Sequence, residues 1–168
     1  VLQNGFITFG CFQTLPKINA GVLAAWAQIL NACPQSRLRL QAPQLNDEGQ
    51  RARFAGRLQA AGIDAGRVEL LGSVSRELYF ASYNTVDILL DTFPYPGGTT
   101  TAEALWMGVP TLTLALPGML GRQGQAMLEN VGLADWVTHS EADYVQQAVA
   151  WGQGGKDVCE KLQRLRGT

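Results

Sequence analysis

The sequence predicts an α/β protein of the Rossmann-like type, in which a parallel β-sheet carries helices on both faces. First, strand-like apolar segments alternate with helix-like segments along almost all of the 168 residues, and short right-handed crossovers make such strands parallel. Second, the apolar run within Asp87–Asp91 is bounded by turn residues, as in a strand buried on both faces. Third, the composition is globular, 46% hydrophobic and 16% charged, and the length suits one domain over residues 1–168.

The first predicted strand, Ile7–Phe12, leads through a loop into a helix that begins at Asn19 and ends before Pro34. Asparagine is a good N-cap, and proline cannot continue a helix. One face of this helix is apolar at helical spacing, and its residues are Val22, Trp26, Ile29, Leu30 and Cys33.

The second predicted strand, Ser36–Ala42, alternates arginine with leucine, which indicates that one of its faces is less well covered. The helix after it begins at Asn46 or Asp47, and Gly62 ends it. Its inward residues are expected to be Phe54, Leu58 and Ala61.

A third strand is predicted at Val68–Gly72, followed by a short helix over Arg76–Thr85 and the central strand Asp87–Asp91. The fifth and sixth strands are expected at Thr111–Ala115 and Trp136–Thr138. Three further helices are predicted in the last third of the chain, over 122–131, 141–151 and 157–166, the second capped by Ser140.

Charge and cysteine content exclude several classes of function. A net charge of −1 gives no reason to expect a nucleic-acid or membrane-surface partner, and no apolar run approaches the roughly 18 residues that span a bilayer. Cys11, Cys33 and Cys159 have no zinc spacing with His139, so we expect reduced thiols, a cytoplasmic location and no metal. Because an initiator methionine is lacking, the chain is expected to be a segment of a longer protein.

The most informative stretch follows the central strand Asp87–Asp91. Gly97 and Gly98 allow the backbone to approach a ligand closely, and Thr99–Thr101 offer hydroxyls and free N–H groups where a helix begins. These groups suit a phosphate, and Glu103, about one turn further on, suits the hydroxyls of a sugar. The alternative is an ordinary strand–turn–helix unit with a threonine N-cap.

Loops that leave the carboxyl ends of three predicted strands, 13–17, 72–76 and 95–101, are expected to meet at one rim of the sheet. On the first loop, Lys17 is the only cation; it either neutralises a diphosphate or is a solvated surface lysine. Gln13 and Thr14 offer neutral hydrogen bonds to the same group. Arg76 either lies over a base or ribose, or caps the short helix that follows.

No catalytic base is evident in the sequence. His139 follows the last short strand, far along the chain from the loop 95–101 that contains Gly97 and Gly98 (the glycine loop). We do not expect it to be catalytic, although histidine is the usual acid–base residue. There is no Ser-His-Asp set, metal cluster or GxGxxG motif. The residues therefore predict binding and charge stabilisation.

These motifs resemble the carboxyl-terminal catalytic lobe of the O-GlcNAc transferases, and in particular bacterial SPINDLY-like members that carry tetratricopeptide repeats. The residues that carry the resemblance are Phe9–Phe12, Leu15–Ile18, Asp87–Tyr95, Gly97–Thr101 and Glu103–Pro110. The resemblance implies a two-lobed (GT-B) inverting glycosyltransferase that uses a UDP-sugar such as UDP-GlcNAc without a metal ion. It further implies an amino-terminal lobe outside this chain, which would carry the general base and bind a protein acceptor. The present chain alone would then be inactive.

The resemblance also implies roles for individual residues. Lys17 matches the catalytic family lysine on the diphosphate, and Thr14 matches a neighbouring position that faces phosphate. Thr99 and Thr100 match the helix-start threonines on the phosphates, and Glu103 matches the acidic residue on the ribose.

On the nucleotide side, Val74 and Arg76 match loop residues around uracil and ribose, but the loop is about one residue short. Tyr79 stands where the family generally has histidine; a tyrosine there can still stack on a ring. Gly98 stands where animal relatives have histidine, and residues 121–124 replace a more typical Ser-Arg-Val stretch. These departures leave two other hypotheses open, a degenerate scaffolding module and a GT-B enzyme for another nucleotide-sugar.

Overall fold

The computed structural model describes residues 5–167, apart from the side chain of Lys156. It contains one parallel sheet with the strand order β3-β2-β1-β4-β5-β6. The strands are β1 (Thr8–Cys11), β2 (Arg37–Gln41), β3 (Val68–Leu71), β4 (Ile88–Leu90), β5 (Thr111–Leu114) and β6 (Val137–Thr138). The order reverses between β1 and β4, so the switch point of the sheet lies between these two neighbours. The predicted fold class is thereby confirmed.

Seven α-helices lie within the described residues. They are α1 (Ala20–Ala32), α2 (Glu48–Ala60), α3 (Arg76–Ser82), α4 (Thr99–Trp106), α5 (Gln123–Asn130), α6 (Glu141–Gln153) and α7 (Gly155–Arg166). Short 3-10 turns join several of them to the strands, among them Leu15–Lys17 after β1 and Tyr83–Thr85 before β4.

Side-chain caps begin three of these helices where the sequence predicts them. Asn19 accepts a hydrogen bond from the Val22 amide at 3.1 Å, and Ser140 accepts one from the Asp143 amide at 3.0 Å. For α2 the cap is Asp47 and not Asn46. The Asn46 amide oxygen instead accepts from Ser73 N at 2.9 Å, which ties the loop after β3 to the chain after β2.

Most element boundaries differ from the prediction by one or two residues, and at two places the type of structure differs. The helix expected over Arg76–Thr85 ends at Ser82 and continues as a 3-10 turn. Trp136 lies in a 3-10 turn before β6, where its fully buried indole stacks on Trp151 with ring centres 4.4 Å apart. Burial of both large rings in this stack favours the turn over a further strand residue.

The apolar core lies on both faces of the sheet. Ile88 and Leu90 belong to the larger cluster, which α1 and α6 cover, whereas Leu89 belongs to a smaller cluster with Phe12 and Tyr83. Successive residues of a strand point to opposite faces, so the two clusters are on opposite sides of β4. Each fully buried aliphatic side chain contributes about 1.5–3 kcal/mol.

The sheet is less well covered at β2, as the alternating pattern predicts. Arg37 is exposed and Arg39 is half-buried, while Leu38 and Leu40 are buried. Among the described residues, none of the helices combines the length and the apolar character needed to cross a bilayer. The single domain predicted over residues 1–168 includes residues 1–4 and 168, which lie outside the described residues.

Candidate functional site

The candidate site lies at the carboxyl ends of β1 and β4, where the strand order reverses. The Gln13 side chain, just after β1, donates a hydrogen bond to the hydroxyl of Thr100 on α4. The Lys17 ammonium donates to the Gln13 side-chain oxygen at 3.0 Å and to the Pro96 carbonyl at 3.1 Å. The structure therefore joins the loops after β1 and β4 at one rim, as expected from their position at strand ends.

Lys17 is half-buried at this rim and lies 4.3 Å from the centre of the Tyr95 ring. Burial lowers the pKa of its ammonium group, and the nearby Asp91 and Cys11 act in the opposite direction. An ammonium group has three donors, of which two are used within the chain. Lys17 is thus a cation held in place by the chain, and its third donor has no partner among the described residues.

The first turn of α4 presents its backbone amides to the same rim. The first N–H with a helical partner is that of Ala102, which donates to the Gly98 carbonyl at 3.0 Å. The amides of Thr99–Thr101 precede it, and the helix has no side-chain cap. The alternative with a threonine N-cap is therefore wrong, because Gly98 occupies the cap position. Unpaired N–H groups and the positive helix end suit an anion.

Glycine at position 97 is required by the close approach of the two loops. A Cβ at Gly97 would lie 2.1 Å from the Gln13 side-chain nitrogen and 2.6 Å from the Thr100 hydroxyl. A Cβ at Gly98 would lie 2.6 Å from the side-chain nitrogen of Gln123, the first residue of α5. Gln123 is a rim residue that sequence reasoning missed, because its place depends on how α5 packs beside α4.

Asp91, at the end of β4, organises the glycine loop from below. Its carboxylate accepts hydrogen bonds from Gly97 N at 2.7 Å, Thr92 N at 2.9 Å and the Thr113 hydroxyl at 2.8 Å. Burial raises the pKa of this carboxyl to about 6, against the lowering effect of the hydrogen bonds and of Lys17. The sequence shows an aspartate between an apolar strand and a turn, but it predicted Asp91 only as the end of the strand and not as a residue that holds the glycine loop.

Glu103 lies one helical turn beyond the threonines, in contact with two tyrosines. Its Oε2 atom accepts a hydrogen bond from the Tyr79 hydroxyl at 3.0 Å, and the Tyr83 hydroxyl lies 3.4 Å away. Tyr79 packs against Phe12, with ring centres 5.8 Å apart. The structure thus brings the predicted residue Tyr79 to the rim from α3. It adds Tyr83, which no sequence pattern singled out.

Three other predicted residues are at the surface. Thr14 and Val74 are exposed, and the exposed Arg76 places its guanidinium group 5.0 Å from the centre of the Phe80 ring. The Thr14 carbonyl accepts a hydrogen bond from the Lys17 amide at 3.0 Å, but in the part of the chain that the structure describes no side-chain hydrogen bond or ion pair joins any of the three to Lys17 or Glu103. Ser75, not Arg76, caps α3, so the capping alternative for Arg76 is wrong.

His139 is exposed between β6 and α6. Within residues 5–167, leaving out the side chain of Lys156, no group of three or more His, Cys, Asp or Glu side chains is placed to hold a metal ion. The three cysteines are free and buried.

A hollow of about 740 Å³ lies at the opposite end of the sheet, where β1, β2 and β3 begin. Three of its four arginines are already paired within the chain. Arg39 lies 3.4 Å from the Glu69 carboxylate, Arg67 donates to the Leu30 carbonyl at 2.8 Å, and Arg166 donates to the Tyr83 carbonyl at 3.2 Å. Ligands of parallel sheets bind at the carboxyl ends of the strands, so the rim of Lys17 and Glu103 is the better candidate.

Comparison with known proteins identifies the family of this chain. The model of the family described as glycosyl transferase family 41 matches residues 1–167. A tomato (Solanum lycopersicum) protein named as a probable UDP-N-acetylglucosamine–peptide N-acetylglucosaminyltransferase SPINDLY is 41% identical over 149 residues. A Caenorhabditis elegans protein named as a UDP-N-acetylglucosamine–peptide N-acetylglucosaminyltransferase is 30% identical over 152 residues. These alignments cover 88% and 90% of this chain but 16% and 13% of the relatives, so the chain spans about a sixth of their length or less.

Solved structures show the same relationship. A mutant of the Thermobaculum terrenum O-GlcNAc transferase superposes with a TM-score of 0.89 at 40% identity, over 97% of this chain and 32% of the other. A putative UDP-N-acetylglucosamine 2-epimerase from Listeria monocytogenes, with a TM-score of 0.60 at 14% identity over 98% of this chain and 41% of its own, shares the fold. The family resemblance seen in the sequence motifs is confirmed. The chain therefore belongs to glycosyl transferase family 41.

Proposed function

We propose that this chain is the donor-binding lobe of a protein O-glycosyltransferase and that it holds a UDP-sugar, with UDP-GlcNAc as the first candidate. One observation carries the proposal: a held ammonium, an uncapped helix start and a carboxylate share one rim of the sheet. Lys17, the first turn of α4 and Glu103 are these three groups, and the Gln13–Thr100 hydrogen bond links the loops that bear them.

The spacing of the three groups suits a nucleoside diphosphate. Glu103 follows Thr99 by four residues on α4, which corresponds to roughly 6 Å along the helix axis. The diphosphate would lie at the helix start, where Lys17 faces it, and the ribose hydroxyls would reach the Glu103 carboxylate. Tyr79, which hydrogen-bonds Glu103, would lie beside the nucleoside.

In the proposed reaction an acceptor hydroxyl forms a bond to the anomeric carbon of the sugar while the bond from that carbon to the phosphate oxygen breaks, and the hydroxyl proton passes to a base outside the described residues. The electron pair of the breaking bond leaves with UDP, so negative charge develops on the phosphate next to the sugar. The Lys17 ammonium and the amides of Thr99–Thr101 stabilise that charge because they are already oriented toward it. In this proposal they supply the positive charge without a metal ion.

The acceptor and the base are proposed to come from outside the described residues. Asp91 is the buried carboxylate nearest the glycine loop, and its oxygens are engaged by Gly97, Thr92 and Thr113. A carboxylate in that position organises the loop and has no route to an acceptor hydroxyl. The names of the relatives support a peptide acceptor and an N-acetylglucosamine donor.

A second candidate is a transferase of the same fold for a different nucleotide-sugar. The Gly98–Gln123 contact favours it, since an amide side chain lies where animal relatives are expected to have histidine at position 98. Because position 98 lies at the phosphate end of the rim, this difference should change the preference for the sugar more than the preference for the base.

A titration of the full-length protein by calorimetry tests the proposal, with UDP, CDP, GDP, uridine and a panel of UDP-sugars. We expect UDP to bind, uridine to bind more weakly, and one UDP-sugar to be preferred. A preference for another sugar would select the second candidate. If millimolar UDP did not bind, both candidate functions would be wrong, and the remaining hypothesis would be the degenerate scaffolding module.

A further inference from the structure

Tyr83 is a buried residue whose hydroxyl has only candidate-site partners among the described residues. Its side chain is fully buried, and its ring meets that of Phe12 edge-on with centres 4.6 Å apart. The hydroxyl lies 3.0 Å from the Tyr79 hydroxyl, 3.4 Å from Glu103 Oε2 and 3.4 Å from the Thr100 carbonyl. A buried phenol that only filled space would be replaced by phenylalanine without loss, so these polar contacts need a reason.

The direction of the protons in this cluster follows from counting donors. Each phenol has one O–H, and burial raises the pKa of Tyr79 to about 12 and that of Tyr83 further, so both stay protonated near neutral pH. Tyr79 donates to Glu103 Oε2 at 3.0 Å. Its single proton is then used, and Tyr83 must be the donor in the 3.0 Å contact with the Tyr79 hydroxyl.

The result is a chain of donors that runs from Tyr83 through Tyr79 and ends on one oxygen of Glu103. Each link polarises the next, so the second hydrogen bond is strengthened by the first. In the part of the chain that the structure describes, Glu103 Oε1 has no hydrogen-bond partner. The carboxylate is thus held by one oxygen and offers the other.

A further contact anchors Tyr83, the first hydroxyl in this series of hydrogen bonds, to helix α7. The Arg166 guanidinium, on α7, donates to the Tyr83 carbonyl at 3.2 Å and also to the Val86 carbonyl. The backbone of Tyr83 is therefore anchored, as a positioning group requires. Holding a side chain in its binding geometry before the ligand arrives saves the cost of ordering it on binding.

We propose that Tyr83 is a positioning residue that, through Tyr79, fixes the Glu103 carboxylate so that its free oxygen receives a ribose hydroxyl. The inference rests on the proposed function, because it assumes a nucleotide whose ribose lies at Glu103. It goes further in assigning the selection for ribose hydroxyls to a buried residue that does not touch the ligand.

The test compares binding of UDP and 2′,3′-dideoxy-UDP to the full-length protein and to its Tyr83→Phe variant, by calorimetry. We expect the wild-type protein to prefer UDP by about tenfold or more, as charged hydrogen bonds to the ribose require. In Y83F that preference should fall by roughly three- to tenfold, while affinity for dideoxy-UDP stays the same. Glu103→Gln should reduce the preference as well, and adding Y83F to it should have little further effect.

Tyr79→Phe breaks the same chain at a half-buried position and provides a second variant if Y83F does not fold. Tyr144→Phe is the matched control, since it removes another buried phenol, which donates to the Asp91 carbonyl at 2.9 Å, and should leave the preference for UDP unchanged. An unchanged preference in both Y83F and Y79F would overturn the inference alone, as would equal losses for the two ligands. If the wild-type protein bound neither ligand, the proposed function itself would fail.

Discussion

Gln13 and Thr100 are 87 residues apart in the sequence, yet the Gln13 amide donates a hydrogen bond to the Thr100 hydroxyl. Gln13 follows β1 and Thr100 lies in the first turn of α4, so this bond crosses the point where the strand order reverses. The Lys17 ammonium donates a hydrogen bond to the side-chain oxygen of the same glutamine. Gln13 therefore links the Lys17 cation to the start of α4.

Removing the acceptor of this bond should cost stability. Gln13 is 7% exposed, so Thr100→Val leaves a largely buried amide donor unpaired, and we expect the free energy of unfolding to fall by about 1–3 kcal/mol. Urea denaturation of the full chain measures it. Thr99→Val, which removes an exposed hydroxyl, is the matched control and should change stability by less than about 0.5 kcal/mol. Equal effects of the two variants would show that the Gln13 contact contributes nothing.

Lys17 should matter for phosphate and not for the nucleoside. We expect Lys17→Ala to weaken UDP binding by about 1.5–3 kcal/mol, the usual value of a charged hydrogen bond, and to leave uridine affinity nearly unchanged. Calorimetry with both ligands measures the difference. Lys161→Ala, on α7, is the control and should alter neither affinity. If UDP and uridine lost equal affinity in K17A, the proposed phosphate contact would be wrong.

Asp91 should make stability depend on pH. Its pKa is raised from 3.8 to about 6, so between these values the folded chain holds a proton that the unfolded chain has released. This contribution is complete below about pH 4 and is lost as pH rises through about 6, a change of about 3 kcal/mol.

The Asp91→Asn variant lacks this titration. The stability of the wild-type chain relative to D91N should therefore decrease by about 2–3 kcal/mol from pH 4 to pH 7. Urea denaturation at several pH values in this range gives the difference. A constant difference between the two proteins would mean that Asp91 keeps an ordinary pKa in the folded state.

Gly98 and Gln123 should behave as a coupled pair. A Cβ at position 98 would lie 2.6 Å from the Gln123 side-chain nitrogen, the far end of a flexible side chain that can move aside, so Gly98→Ala should cost only about 0.5–1 kcal/mol. Gln123→Ala makes room, and the double variant should recover at least half of that loss. A double-mutant cycle of unfolding free energies measures the coupling.

Gly56→Ala is the matched control for this cycle. A Cβ there meets nothing within 4 Å, and the glycine is inside helix α2, so the change should stabilise the chain by about 0.5–1 kcal/mol. Additive effects of G98A and Q123A would argue against a direct contact between positions 98 and 123.

Much of the fold could be predicted because the signals are local. Periodicity identified the central strand, and cap residues such as Asn19 and Ser140 identified helix starts, since both depend on neighbours within a few residues. Neighbouring residues do not decide whether Asn46 or Asp47 is the cap. The Ser73 amide, from another loop, donates a hydrogen bond to the Asn46 side-chain oxygen, so that oxygen is engaged outside the helix and Asp47 is the cap.

By itself, the sequence determined the parallel α/β class, the glycine–threonine helix start, and Lys17 and Glu103 as candidate ligand residues, because strand patterning and turn chemistry are written in consecutive residues. Only the tertiary structure decided that Asp91 holds the glycine loop, that Gln123 lies over Gly98, and that Tyr83 and Tyr79 hold Glu103. These contacts join residues 4 to 25 positions apart in the sequence. They exist because the glycine loop, α3, α4 and α5 pack together at one rim of the sheet, and no local pattern of residues records which of these segments lie side by side.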